Sequence, residues 1–321
     1  MTNLTVAVVG SPDYAKNLGK KSTASDMTFF DIKRGDTTVT FVEPTKYPER
    51  LSTLFHAAAM ADAAFVVVDE IGPTLGETIV MLDCAGVRKG WILLRNYITP
   101  DQVAPFLKGS ALEKYEFVQE DPVALRELFL GEAEGIDAHE PEEGSCGSVP
   151  IDHHFDVKGV GTVILGRVAD GHIRKHDRMK VMPGDKEAEI RSIQKHDDDY
   201  DWAVKGERVG LALKGITAEE LDRGMVLTND RAMVVRTTLT CKADIVKYWP
   251  SPVAKGAVMH VGHWMQFAPA KVEDVSAGAD WRKPTLSLQL QKGLAFKPGS
   301  RAVLAQLEGG KLRVVGTVLL E

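Results

Sequence analysis

With 321 residues, 44% of them hydrophobic, the chain exceeds what one hydrophobic core ordinarily organises, so two or three domains are expected. A formal net charge of −6 excludes a broad basic nucleic-acid surface, and with it a DNA partner, leaving room for a local basic patch only. The isolated cysteines Cys84, Cys146 and Cys241 exclude a disulfide framework or a CxxC zinc site, and the absence of a targeting segment or of an apolar run of ~18 residues points to a cytoplasmic chain with no membrane partner.

The first predicted element is the β-branched run of residues 4–9, which ends in Gly10, as a first strand does in front of a phosphate-binding loop. Such a loop needs G-x-x-x-x-G-K-[ST], because backbone amides close on the phosphates and a hydroxyl reaches Mg²⁺. Here Gly10 and Lys16 are present, but Ala15 stands at the second glycine and Asn17 at the hydroxyl. Ala15 adds a methyl where backbone approaches phosphate, and Asn17 offers a neutral amide to the cation. The loop therefore reads as a remnant formed by Gly10, Asp13 and Lys16, without a working nucleotide site. Strands are predicted over residues 36–43 and 90–94, and a helix end running into a buried strand over 61–69; together these make an α/β domain over residues 1–130.

Residues 131–145 are acidic and glycine-rich and read as an exposed connection, so a linker is predicted over 131–147. Beyond it, residues 162–165 read as a strand that resumes through Arg167 and Val168, with Asp170 and Gly171 as a tight hairpin turn. Further turns at 182–185 and 205–206, and a one-turn capped helix at 217–220, predict a small closed β-barrel over residues 148–230. Strands at 233–240, 258–261, 285–291, 301–307 and 312–320 predict a second barrel over 231–321. No metal site is expected: His153 and His154 face opposite sides of a strand, His260 and His263 read as packed histidines, and residues 196–199 as a charged turn.

The order of Pro150-Ile-Asp-His-His-Phe155, the GxGTVxxGRVxxG run from Gly159, the GxxVGLxLKG strand from Gly206 and Arg223-Gly-Met-Val-Leu227 resembles the second domain of elongation factor Tu. Residues 288–304 and 315–319 resemble the third domain of the same factors, particularly their selenocysteine-specific branch, so the resemblance spans the chain. It implies a multi-domain fold: a P-loop-type α/β G domain, here degenerate, followed by two β-barrels. In that frame the Asp-x-Pro-Gly-His positions carry Glu43, Pro44, Thr45, Lys46 and Tyr47, so the glycine that senses γ-phosphate and the histidine that positions water are both lost. The Asn-Lys-x-Asp positions that grip guanine carry Arg95, Asn96, Tyr97 and Ile98, and Ala24 stands where a Mg²⁺-binding threonine would be.

The resemblance also implies an acceptor-end pocket for aminoacyl-tRNA at the rim of the first barrel, formed by Asp152, His153, Phe155, Thr162, Gln194, His196 and Arg208. Elongation factor Tu has asparagine at the position of Arg208, whereas the selenocysteine branch has arginine in a basic pocket for an anionic side chain. The expectation is thus a SelB-like elongation factor that binds the acceptor end of an aminoacyl-tRNA, a specialised one included, with the ribosome as a further partner. It is expected to be no competent GTPase and to need no cofactor, GTP and Mg²⁺ being the ones at issue. Arg208 is expected to be exposed and to add little to folding. With nothing following Glu321, the RNA-hairpin-binding extension of bacterial selenocysteine factors is expected to be missing. Two other readings stand beside this one: an active GTP-binding factor with a divergent loop, and a translation-associated interaction module that binds no tRNA.

Overall fold

The computed structural model describes residues 2–137, 144, 146–308 and 310–321. The first domain runs β1 (Thr2–Val9), β2 (Lys20–Ala24), β3 (Thr28–Arg34), β4 (Thr37–Glu43), α1 (Leu51–Met60), β5 (Ala63–Val68), α2 (Pro73–Ala85), β6 (Lys89–Leu94), α3 (Pro100–Leu107), β7 (Glu116–Val118) and α4 (Pro122–Glu134). Its seven strands lie in the order β2-β3-β4-β1-β5-β6-β7. The run from β4 to β7 is parallel, which suits the near-continuous apolar sequences of β1, β4, β5 and β6, while β2 and β3 extend one edge in antiparallel fashion. Helix α4 seals one face through Phe129, whose ring meets Phe41, Phe65 and Trp91 edge-on at 5.3, 5.5 and 5.1 Å. The Asp121 carboxylate caps this helix by accepting from the Val123 and Ala124 amides, and Pro122 fits its first turn.

Helix α4 corrects one boundary. It continues through Glu134 with Ala133 fully buried, so residues 131–134 of the predicted linker are helical. The acidic composition that suggested a solvated connection belongs here to the exposed face of an amphipathic helix. Residues 138–143 and 145 of that linker lie outside the described residues.

The second domain comprises β8 (Gly147–Val157), β9 (Gly161–Arg167), β10 (Asp170–Arg174), β11 (Arg178–Met182), β12 (Lys186–Lys195), β13 (Asp198–Tyr200), β14 (Trp202–Val204), β15 (Arg208–Lys214) and β16 (Val226–Thr228). Strands β8-β16-β11-β12-β15-β9 form a ring that closes through β8–β9 pairing, around a core that includes Ile151, Ile164, Ile173, Ile190, Ile193 and Leu211. Asp170 and Gly171 do not make the predicted hairpin turn: β10 pairs with β8 and β14, and β9 with β8 and β15. Gly171 does have positive φ (62°), but its function is close approach, since a Cβ there would lie 1.7 Å from the Cys146 carbonyl oxygen. The capped turn at Thr217 is a short 3-10 segment in which the Glu220 carboxylate accepts from the Thr217 amide at 2.9 Å.

The third domain is a closed barrel of β17 (Val234–Ile245), β18 (Val258–His263), β19 (Gln266–Ser276), β20 (Thr285–Phe296), β21 (Arg301–Ala305) and β22 (Val314–Leu319), in the order β17-β20-β19-β18-β21-β22. Two compact units result, one joining the α/β domain to Ile245–Ser251 and Val303–Thr317, the other joining the second domain to Pro252–Ala302 and Val318–Glu321. Within the first unit Arg313 forks onto the buried Glu77 carboxylate of α2, with Nη2–Oε2 at 2.6 Å, and the Tyr47 hydroxyl donates to Glu77 at 3.1 Å. Tyr47, at the position of a water-positioning histidine in the family it resembles, is thus a structural hydrogen-bond donor. Among the described residues, no helix is long and apolar enough to cross a membrane.

His263 supplies a pH signature for the second unit. Its ring stacks on Trp264 at 4.7 Å, its Nδ1 lies 3.4 Å from the Arg301 carbonyl, and burial pushes its pKa down from 6.5 to about 4. The folded form resists protonation more than the unfolded chain, so stability is whole above pH 6.5 and falls as pH drops toward 4, by up to roughly 3 kcal/mol. Urea titrations across that range should show this slope in the wild type and a flatter one in His263→Phe.

Candidate functional site

Two regions carry the residues singled out in the sequence. The first lies at the carboxyl ends of β1, β5 and β6, where ligands bind in open α/β sheets. Strand β1 delivers Gly10 at φ +100°, where a Cβ would sit 2.2 Å from the Val67 carbonyl oxygen, so the glycine is required by the fold itself. Asp13 follows at φ 62°, then a 3-10 turn over Tyr14–Asn17, then the edge strand β2. A phosphate-binding loop normally opens onto an α-helix whose amino terminus faces the phosphate. Here Tyr14, Ala15 and Leu18 are drawn into the sheet core instead, Tyr14 meeting Phe65 edge-on at 5.6 Å. Lys16 is exposed. The space beneath the loop holds a carboxylate from β4: Glu43, 5% exposed, accepts from the Asp13 amide through Oε1 and from the Ala15 amide through Oε2 at 3.0 Å.

At the positions where the resemblance implies a guanine-gripping motif, other contacts are made. Arg95 reaches Asp69 at 3.1 Å and Glu120 at 3.3 Å and lies 5.9 Å from the Tyr14 ring centroid. Tyr97, two residues on, stands fully in solvent with Asn96 and Tyr97 both at positive φ. The Ile98 side chain carries no hydrogen-bond acceptor.

The second region is the rim of the second domain. The β8–β9 register shifts between Ile151 and His153, a bulge that turns Asp152 inward until its side chain is wholly buried. There its carboxylate takes Arg208 from β15 in a fork, Nη1–Oδ2 at 2.5 Å and Nη2–Oδ1 at 3.2 Å, and the His153 Nδ1 at 2.6 Å. Arg223 donates from Nε to the Asp152 carbonyl at 2.9 Å. Burial alone would raise the Asp152 pKa, but the Arg208 charge and the hydrogen bonds from His153 and Arg208 outweigh it and hold the carboxyl below its usual range.

Arg208 therefore corrects the expectation of an exposed side chain. Only 12% of it is exposed, and its charge is balanced by Asp152. Phe155 lies further along β8 with 41% of its surface exposed. Across the β8–β9 ladder, the Thr162 hydroxyl is 3.0 Å from the Ile216 carbonyl and 3.2 Å from the Asp156 carboxylate. Gln194, near the end of β12, pairs with Gly210 of β15 and donates to Asp199 at 3.0 Å, and His196 follows in the β12–β13 turn at φ 48°.

Sequence reasoning missed two supports of this rim. Arg223 stood inside a recognised motif but was given no role. Lys195 lies on the inner face of β12 between Gln194 and His196, its side chain 1% exposed, paired with Glu207 at 2.6 Å and set over the Tyr200 and Trp202 rings at 4.3 and 4.7 Å. Glu207 also accepts from the Val204 amide at 2.9 Å, which ties the β12–β13–β14 connection to the start of β15. Alternation along β12, with Ile193 and Lys195 both inward, was the available signal. Among the described residues, no group of three His, Cys, Asp or Glu side chains is placed to hold a metal ion.

Comparison with known proteins agrees with this architecture. Residues 161–228 match the family described as elongation factor Tu domain 2. An uncharacterized protein of Methanocaldococcus jannaschii is 36% identical over 98% of this chain and 99% of its own length. The selenocysteine-specific elongation factor of the same organism is 25% identical over 97% of this chain and 71% of its own length. The crystal structure of translation elongation factor SelB from Methanococcus maripaludis with the GTP analogue GppNHp superposes with a TM-score of 0.83 at 20% identity, covering all of this chain and 79% of that one. An α/β domain followed by two β-barrels of this topology is the fold of the SelB elongation factor on which the chain superposes, and its first barrel carries the elongation factor Tu domain 2 match. The chain belongs to one family with the Methanocaldococcus jannaschii protein that is 36% identical to it, and along nearly its whole length it is similar to the selenocysteine-specific elongation factor of that organism.

Proposed function

We propose that the protein binds the acceptor end of an aminoacyl-tRNA at the rim of its second domain, and does so with little or no bound GTP. The observation that carries the first part is the cluster on β8 and β15: Asp152, His153 and Arg208 are locked together beside the exposed ring of Phe155, at the positions implied by the family motifs. Such a rim offers a stacking surface and fixed donors but no activated nucleophile, which suits binding rather than catalysis. Contacts to the RNA backbone would make affinity fall with salt. The second part is supported by Glu43 beneath the Gly10 loop, by the Arg95 ion pairs and by the missing helix. A second reading, a tRNA-independent module that docks on a protein or the ribosome, is favoured by the fully exposed Tyr97.

Calorimetric titration with GTP and GDP should give no saturable heat, and binding measured with charged and deacylated tRNA should favour the charged form. Phe155→Ala should weaken charged-tRNA binding by about 1–3 kcal/mol, the ordinary loss of one base–aromatic stack, with no change in unfolding midpoint. Guanine-selective GTP binding would restore the active-GTPase reading. Equal indifference to both tRNAs would leave the interaction module.

A further inference from the structure

We propose that Glu43 is a built-in substitute for nucleotide phosphate: its carboxylate closes the Gly10 loop from within and makes the order of that loop independent of any bound nucleotide. The proposal rests on reading this loop as a nucleotide-site remnant. A phosphate held by such a loop is an anion whose oxygens accept from consecutive backbone amides. Glu43 presents the same chemistry, with one oxygen on the Asp13 amide and the other on the Ala15 amide. Residue 13 at φ 62° makes this possible, because a left-handed residue next to the right-handed 3-10 turn that follows it brings nearby N–H groups into one concavity.

Reach and rigidity both favour glutamate. Glu43 stands at the position implied to be aspartate by the resemblance, and the extra methylene brings its carboxylate under the loop. Its backbone is the last residue of β4, between β1 and β3, and is paired with Thr28, so the carboxylate is delivered from a rigid strand. The buried side chains of Tyr14, Ala15 and Leu18 hold the loop from its other side. Burial pushes the Glu43 carboxyl above its usual range, and the two amide donors pull it part of the way back toward the carboxylate. Without an anion here the Asp13 and Ala15 amides would face a buried carboxylate-sized space unpaired, an arrangement folded proteins avoid.

Exchange of one anion for another tests the idea. Thermal unfolding of the full chain is measured in chloride, inorganic phosphate and formate at fixed ionic strength, for wild type, Glu43→Ala and Glu43→Gln. The wild type should show only the general salt response of a folded protein, with phosphate mildly stabilising through its exclusion from the surface. Glu43→Ala should unfold several degrees lower in chloride and recover a substantial part of that loss in phosphate or formate, each of which can re-enter the emptied cradle. Glu43→Gln keeps the size but turns N–H groups toward the amides, and should be destabilised without recovery. A wild type stabilised by phosphate as much as Glu43→Ala, or a Glu43→Ala that recovers in neither anion, overturns the proposal. If Glu43→Ala does not fold, amide hydrogen exchange on the wild type decides: protected Asp13 and Ala15 amides support the internal anion, and exchange at open-loop rates refutes it. Guanine nucleotide binding to the wild type would instead overturn the reading of the loop as a remnant. The two failures are therefore distinguishable.

Discussion

Glu207→Ala is expected to destabilise the protein by about 3–5 kcal/mol, the usual penalty for leaving one member of a buried ion pair without its partner. Lys195 would keep its charge in a site where its side chain is 1% exposed, with only the Tyr200 and Trp202 rings to replace the carboxylate. Cation–π attraction of up to about 2 kcal/mol for a desolvated pair cannot offset that loss. Burial already holds the Lys195 pKa below 10.5, with Glu207 pulling it back up. The sign of the pH effect follows. The folded state disfavours the charged amine, so deprotonation favours folding and stability is recovered as pH rises toward 10.5, more so once Glu207 is gone. Urea unfolding at neutral and alkaline pH should therefore show a large deficit for Glu207→Ala that narrows at high pH. The double replacement Lys195→Met with Glu207→Leu should be far milder, because no buried charge remains. A Glu207→Ala protein as stable as wild type at neutral pH would mean that the Lys195 side chain can reach water.

How much of this was legible in the sequence depends on the kind of signal each element carries. The strands β1, β5 and β6 announce themselves because parallel sheet buried on both faces demands uninterrupted apolar residues. The barrel of the second domain was visible through its turn residues and motif order. Strand β19 was not, since Pro269 lies within it and the alternation of Ala270, Lys271, Val272 and Glu273 is interrupted by a register shift before Asp274, and its pairing with β18 and β20 is settled by neighbours distant in sequence. The residues of the Gly10 loop were legible as departures from a motif, but the contacts that hold the loop were not. That Glu43 accepts from the Asp13 and Ala15 amides depends on β4 lying beside β1, a tertiary fact. In the same way the bulge at Asp152 decides that Arg208 points inward to a carboxylate, whereas strand periodicity alone leaves it on the rim.

That bulge sets up the second large effect. Arg208→Ala should cost about 3–5 kcal/mol of stability, where an exposed arginine would have cost almost nothing. Asp152 would remain wholly buried with His153 as its one remaining side-chain donor among those described here. Asp152→Asn should cost less, because its amide oxygen still accepts from Arg208 and the guanidinium left without a counter-charge is 12% exposed, whereas the Asp152 side chain is wholly buried. The acid limb gives an independent check. In the wild type the Asp152 carboxyl is held below its unfolded value, so its contribution is complete above pH 3.8 and disappears as pH falls through the folded pKa. Asp152→Asn removes that titrating group, and its stability should decline less steeply in acid than that of the wild type. A double-mutant cycle over Asp152 and Arg208 should return a coupling of more than about 1 kcal/mol, as expected of residues that share a buried forked contact. Arg208→Lys separates stability from recognition: it keeps the charge on Asp152 but cannot fork, so it should fold with a modest loss and bind charged tRNA with nearly wild-type affinity. A large loss of charged-tRNA affinity in Arg208→Lys, with folding intact, would mean that the guanidinium itself touches the ligand and that its pairing with Asp152 yields on binding.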